Sequence, residues 1–129
     1  MGPSLTVGEM ETTAPQLVQR QFGSARQASG PRVKAEEDAG ESRLRIRGAF
    51  DAATVSDINL AIEAVMAERP SRVILDLAQV PLMDSSGVGA IVALWKRMKA
   101  DGGQVVVVGA RDQPLAVLRV LKLDAVFCK

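Results

Sequence analysis

Residues 73–95 read VILDLAQVPLMDSSGVGAIVALW and predict a buried strand, a short connection and a helix. The apolar run 73–77 is too short for a helix and begins with two β-branched residues, which favours an interior strand. Beyond residue 86 the apolar spacing becomes helical, with one face formed by Val88, Ile91, Val92 and Trp95. The segment 84–87, DSSG, therefore lies where a strand has ended and a helix begins. Open α/β sheets gather functional groups at such carboxyl ends of strands.

The composition excludes several kinds of chemistry. The 129 residues suffice for one domain with a sizeable core. The chain has no histidine, which removes Ser-His-Asp and Cys-His catalysis and histidine-ligated zinc. We expect no catalytic residue, no bound metal and no cofactor. The single cysteine, Cys128, cannot form an internal disulfide, and we interpret it as a filler of a strand in a reducing compartment.

Charge and hydropathy bear on location and partners. The formal net charge of +1 gives no electrostatic footprint for nucleic acid. No apolar run approaches the roughly 18 residues of a membrane span, and the N-terminus lacks the basic and then apolar layout of a signal peptide. We therefore expect a cytoplasmic protein that neither inserts into a membrane nor binds nucleic acid.

The first 30 residues differ in character from the rest. Residues 1–30 are rich in Gly, Pro, Ser, Thr and Gln and show no sustained periodicity, which predicts a disordered tail. A short helix over residues 15–22 is the alternative for part of this stretch. The domain itself is predicted to occupy residues 31–129.

A hairpin is predicted at the start of that domain. Residues 32–36 alternate weakly, residues 38–41 supply a turn, and Leu44 and Ile46 then alternate with three arginines, at 43, 45 and 47. The arginine stripe is typical of the solvated face of an antiparallel pair. Binding of an anion by the same stripe is the alternative.

Helices and strands alternate after the hairpin. Asp51 is a candidate N-cap for the first helix, and Pro70 ends the helical pattern. Alternation of this kind requires parallel strands joined by helical crossovers. The predicted fold is α/β, a mixed β-sheet with an N-terminal antiparallel hairpin and βαβ units, its helices packed on the sheet. The predicted elements after the hairpin are a helix over 51–68, a strand from 73, a helix from 86, a strand over 104–109, a helix from 114 and a last strand over 125–128.

The DSSG segment has a structural and a functional interpretation. Asp84 or Ser85 would cap the helix, and Gly87 would allow a close approach of the backbone. One cap does not need an acid and two hydroxyls. A phosphate on Ser85 or Ser86 would add about −1.5 to −2 charges at the positive end of a helix, where backbone N–H groups can hold it. No base for catalysis lies nearby, so we predict a modification site and not an active site.

Three stretches resemble the STAS domain (sulfate transporter and anti-sigma-factor antagonist). They are LRIRGAFD at 44–51, the strand and helix start at 73–89, and DGG at 101–103 before a valine strand. The likeness is strongest to free-standing bacterial anti-sigma-factor antagonists. The family's usual turn is Gly-Glu-Leu-Asp, and here residues 48–51 read GAFD.

The resemblance implies partner switching. In that family the unphosphorylated antagonist binds an anti-sigma factor that is also a serine kinase, and phosphorylation of the serine after the aspartate separates the two. By position that serine is Ser85, while Asp84, Ser86 and Gly87 support the site. A serine phosphatase restores the free hydroxyl. This chain would then be a substrate and a ligand, and not an enzyme.

The partner surface is predicted to surround this site. It would include Asp51, Val88, Gly89 and Lys96, while Trp95 is predicted to belong to the core. Two other functions stay open. The domain could be a STAS docking subunit of another signalling or lipid-transport complex, or a nucleotide-binding STAS module that holds phosphate at the same helix N-terminus.

Overall fold

The computed structural model describes residues 18–22 and 32–127, which form one mixed β-sheet with helices packed on it. The predicted fold class is confirmed. The described strands are β1 (Val18–Phe22), β2 (Val33–Asp38), β3 (Glu41–Arg47), β4 (Arg72–Gln79) and β5 (Gln104–Val108). The described helices are α1 (Val55–Ala67), α2 (Ser85–Ala100), α3 (Asp112–Val120) and α4 (Asp124–Phe127).

The strands lie side by side in chain order, β1-β2-β3-β4-β5. β1 to β3 pair antiparallel, which includes the predicted hairpin, and β3, β4 and β5 pair parallel. In the register of the parallel part, Leu44 lies opposite Leu75, which lies opposite Val107. Parallel strands need crossover connections, and α1 and α2 supply them. The carboxyl ends of β3 and β4 therefore meet at one edge of the sheet.

The core lies between one face of the sheet and the helices. Alternating residues of β2, β3 and β4 point into it, as the period of a strand requires. α1 contributes one apolar face to the core. Its buried residues are Ile58, Ala61, Ile62 and Val65.

The buried face of α2 differs from the predicted one. Of the four predicted residues only Ile91 is buried, whereas Val88, Val92 and Trp95 are partly exposed. The buried face instead combines two small residues, Gly87 and Ala90, with larger apolar ones. The buried residues of α2 are Gly87, Ala90, Ile91, Leu94 and Met98. The helix thus has a second apolar sector, formed by Val88, Val92 and Trp95, which is only partly buried; Val88 and Trp95 pack against the margin of the core.

Other predicted elements are wrong in type or bounds. Val18–Phe22 forms a strand, where the sequence predicts a tail or a short helix. The predicted last strand is the helix Asp124–Phe127 over its described part. α1 begins at Val55, after a turn over residues 51–54. Cys128 and the remainder of the predicted tail lie outside the described residues.

Candidate functional site

Two connections that leave the carboxyl ends of neighbouring strands are hydrogen bonded to each other. The backbone N–H of Phe50, beyond β3, donates to the carbonyl of Leu82 at 2.9 Å. The N–H of Asp84, beyond β4, donates to the carbonyl of Phe50 at 3.2 Å. Phe50 and Met83 form an isolated parallel bridge between these bonds, and both side chains are buried. The segment that leads into α2 is therefore held like a short strand.

Asp84 caps α2 and also contacts the neighbouring turn. Its Oδ1 accepts from the backbone N–H of Ser86 at 2.8 Å and of Gly87 at 3.2 Å. Its Oδ2 accepts from the N–H of Ala52 at 3.3 Å. Of the two candidate caps, Asp84 is the one that the structure uses. One carboxylate thus satisfies N–H groups that the helix leaves unpaired and links the two connections.

We expect Asp84→Ala to lower the free energy of unfolding by about 1–2 kcal/mol, because the cap is lost. Asp84→Asn keeps an acceptor oxygen and should cost much less. Urea unfolding of both variants measures the difference. Equal losses would mean that the negative charge, and not the acceptor, stabilises the helix start.

The two serines of the segment differ in exposure. Ser85 is the first residue of α2 and is exposed, whereas Ser86 is partly buried. Within the described part of the chain, no hydrogen bond engages the Ser85 hydroxyl. Ser85 is therefore the serine of the segment that is open to solvent. Gly87 is buried beneath them, and a Cβ there would lie 2.5 Å from the carbonyl oxygen of Phe50.

Asp51 is not the cap of α1, so that prediction is wrong. The N-cap residue is Thr54, without a side-chain hydrogen bond to the helix. Asp51 instead closes the turn before the helix, since its Oδ1 accepts from the N–H of Ala53 at 3.0 Å. Its own N–H donates to the hydroxyl of Thr54, also at 3.0 Å. Asp51 shapes the turn that borders the exposed serine.

An apolar groove of about 780 Å³ opens beside Ser85, between α2 and α3. Val88, Gly89 and Val92 of α2 form one wall of the groove, and α3 forms the other. Leu82, Val120 and Leu121 are large apolar residues that are 50%, 79% and 49% exposed. The sequence analysis predicts Val88 and Gly89 as part of the partner surface. It does not predict that α3 contributes to the same surface. The lining includes Leu82, Ser85, Val88, Gly89, Val92, Val117, Val120 and Leu121.

The cations of the C-terminal half of α2 have different surroundings. Arg97 forms a two-pronged ion pair with Glu63 on α1, at 2.6 and 3.3 Å. The Lys99 ammonium lies 4.8 Å from the centre of the Trp95 ring, and that ring meets Phe127 edge to face. Lys96 is exposed. Arg97 and Lys99 thus take part in contacts within the chain.

The arginine stripe of β3 faces carboxylates on the neighbouring strands. Arg43 lies 2.9 Å and Arg45 3.9 Å from a carboxylate oxygen of Asp76, and Arg45 lies 3.5 Å from Glu36. Burial raises the pKa of Asp76, but the Arg43 hydrogen bond, the Ala78 amide and the charges of both arginines outweigh it and lower the pKa below 3.8. This pairing fits the solvated face of a sheet.

The lowered pKa of Asp76 predicts a pH dependence of stability. Its folded pKa lies below its unfolded value, so its contribution is present above about pH 4 and is lost as the pH falls through the folded pKa. We expect Asp76→Asn to cost up to about 1 kcal/mol at pH 7 and to flatten the loss of stability below pH 4. Urea unfolding at pH 7, 5, 4 and 3 tests this. Parallel curves for the two proteins would contradict it.

Two kinds of feature are absent from residues 18–22 and 32–127. No group of three or more Cys, Asp or Glu side chains in them is placed to hold a metal ion. Likewise, none of the described helices combines the length and the apolar character that crossing a membrane requires.

The STAS domain model matches residues 32–129, and the chain belongs to this family. An anti-sigma-B factor antagonist of Listeria monocytogenes is 25% identical over 89 residues, which are 69% of this chain and 78% of the relative. The predicted resemblance is therefore confirmed at the level of the family.

Solved structures share the fold. An anti-sigma factor antagonist from Mycobacterium paratuberculosis is 25% identical, with a TM-score of 0.64 over 74% of this chain and 80% of that one. The Bacillus cell fate determinant SpoIIAA in its phosphorylated form is 19% identical, with a TM-score of 0.62 over 75% of this chain and 90% of that one.

Proposed function

We propose that this protein is an anti-sigma-factor antagonist controlled by phosphorylation of Ser85. The observation that carries the proposal is an exposed serine with a free hydroxyl, at the first position of a helix that Asp84 caps. The same geometry lies in a domain whose relative is named an anti-sigma-B factor antagonist. The unphosphorylated chain would bind a kinase-type anti-sigma factor in the cytoplasm and so release the sigma factor.

The partner would cover Ser85 and the protein surface around it. Val88 and Gly89 line the apolar groove beside the serine. Asp51 belongs to the turn whose Ala52 N–H is hydrogen bonded to Asp84. The exposed Lys96 follows on the same helix and is available to an acidic group of the partner. A complex that buries this surface would position the Ser85 hydroxyl for transfer of a phosphoryl group from ATP held by the kinase.

Phosphorylation would separate the complex through charge. The phosphate adds about −1.5 to −2 charges next to the carboxylate of Asp84. The unmodified Ser85 hydroxyl is uncharged. The positive end of the α2 dipole would favour the charge of the phosphate, while the N–H groups of Ser86 and Gly87 stay bonded to Asp84. The fold would change little while the surface potential changes sharply. A serine phosphatase would then return the protein to its binding form, so the chain itself needs no catalytic group.

Mass spectrometry of the intact protein and its peptides tests the proposal. The wild type, Ser85→Ala and Ser86→Ala are incubated with the cognate kinase-type anti-sigma factor, ATP and Mg²⁺. We expect one phosphoryl group on the wild type and on Ser86→Ala, and none on Ser85→Ala. No phosphorylation by a kinase shown to bind the chain and to hydrolyse ATP would favour a docking subunit. Loss in Ser86→Ala alone would keep the mechanism and move the site.

A further inference from the structure

Gln113, near the start of α3, holds the backbone of the residue that precedes Asp84 by one position. Its Oε1 accepts from the N–H of Met83 at 2.8 Å, and its Nε2 donates to the carbonyl of Met83 at 2.9 Å. One side-chain amide thus pairs with both polar backbone groups of a single residue, as a neighbouring strand would.

These bonds complete the pairing of the segment that leads to Ser85. Phe50 bonds Leu82 and Asp84 from one side, and Gln113 bonds Met83 from the other. Because the Met83 side chain is 1% exposed, the segment is also anchored in the core. Residues 82–84 are therefore fixed on three sides, immediately before the serine.

A second bond holds the residue before α3 to the end of β4. The guanidinium of Arg111 donates to the carbonyl of Ala78 at 3.2 Å, near the end of β4. Asp112, between Arg111 and Gln113, has a φ of 53°, which is unusual for a residue with a side chain. The backbone thus accepts an unfavourable conformation next to the residue that makes the amide pair.

We infer that Gln113 is a positioning residue for phosphorylation of Ser85, which rests on the function proposed above. Gln113 keeps residues 82–84 in register, and that register sets the direction of the Asp84 carboxylate and of the first turn of α2. A phosphoryl transfer depends steeply on such placement, since a displacement of about 1 Å can cost a factor of about 100 in rate. Gln113 contributes geometry to the transfer and no chemistry.

Two variants of Gln113 and two control variants separate this role from packing. Gln113→Ala removes both bonds. Gln113→Glu keeps the size and one acceptor but places a carboxylate oxygen against the carbonyl of Met83. The exposed Gln104, on β5, provides the matched control Gln104→Ala. Ile62→Val trims a buried side chain of α1 and controls for a general loss of stability.

The kinetics of phosphorylation by the cognate kinase and amide exchange are measured for each variant. We expect kcat to fall about tenfold in Gln113→Ala and at least as far in Gln113→Glu, with KM within about twofold. Exchange at the Met83 amide should accelerate about tenfold or more in both. Gln104→Ala and Ile62→Val should keep the wild-type kcat.

Two results would overturn the inference while the proposed function stands. One is a wild-type kcat in Gln113→Ala. The other is an equal fall in the kcat of Ile62→Val, if the melting temperatures of Ile62→Val and Gln113→Ala are the same. Failure of the wild type itself to be phosphorylated by an active, bound kinase would overturn the proposed function, and the inference with it. Faster exchange at the Met83 amide alone would then show a purely structural role.

Discussion

Replacing Gly87 by alanine is expected to lower the free energy of unfolding by about 2 kcal/mol. A Cβ at this position would lie 2.5 Å from the carbonyl oxygen of Phe50, 2.7 Å from the side chain of Met83 and 3.0 Å from the ring of Phe50. A backbone atom is among these, so the clash is not relieved by rotation of one side chain. Such overpacking typically costs about 1–3 kcal/mol, and here it would also separate the two connections that hold the site.

Gly89 is the matched control, two residues further along the same helix. A Cβ there meets nothing within 4 Å, and the residue is exposed. Gly89→Ala should therefore stabilise the protein by about 0.5–1 kcal/mol, the gain in helix propensity. Urea unfolding of the two variants should give changes of opposite sign. A stabilising Gly87→Ala would mean that α2 moves away from Phe50 at little cost.

The sequence predicts those parts of the fold that depend on local patterns. Leu44 and Ile46 alternate with arginines, and this alternation alone defines the buried and solvated faces of β3. The change of periodicity at the DSSG segment indicated a capped helix start with Asp84 or Ser85 as the cap, and the structure uses Asp84. The alternation in β3 and the helix start at DSSG each depend on a few neighbouring residues. Predicting them required no knowledge of distant parts of the chain.

The errors occur where a short pattern has two physical solutions. Residues 125–127 are an apolar run too short for its periodicity to distinguish a strand from a helix. They form a helix with Asp124 in its first turn. Asp51 and Thr54 are both good caps by type, and the turn between them moves the helix start to Val55. In each case packing outside the segment selects the outcome.

The amide pair of Gln113 with Met83 was not predictable. The two residues are 30 positions apart, and a lone glutamine near a helix start is typical of solvent-exposed surface. The groove beside Ser85 was missed for a related reason, since its second wall belongs to α3. What sequence could have indicated was the surplus of apolar residues on α2, which exceeds one buried face.

Introduction of a negative charge at Ser85 should weaken binding of the cognate kinase-type anti-sigma factor by at least about 100-fold. Ser85→Glu places a carboxylate at the mouth of the apolar groove, next to the carboxylate of Asp84. A charge that is covered in an apolar contact surface without a partner costs several kcal/mol, and each 1.4 kcal/mol is a factor of ten in Kd. Isothermal titration calorimetry with the purified partner measures the change.

The stability of the fold should change little in the same variant. An acid in the first turn of a helix is favourable by about 0.3–1 kcal/mol through the helix dipole, which offsets its repulsion from Asp84. The melting temperature of Ser85→Glu should therefore stay close to that of the wild type. A large fall in melting temperature would mean that lost binding reflects unfolding and not charge at the contact surface.

Ser71 offers a control with the same change in charge at the other end of β4. It is exposed, directly before the strand begins, and its hydroxyl donates to the carbonyl of Gly40 at 3.2 Å. Ser71→Glu should leave the Kd within about twofold, because surface charges separated by more than about 10 Å are largely screened at 0.1 M salt. Equal weakening by Ser71→Glu and Ser85→Glu would attribute the effect to net charge. Weakening by Ser85→Glu alone would place the partner over the start of α2, where one phosphate can block the contact without altering the fold.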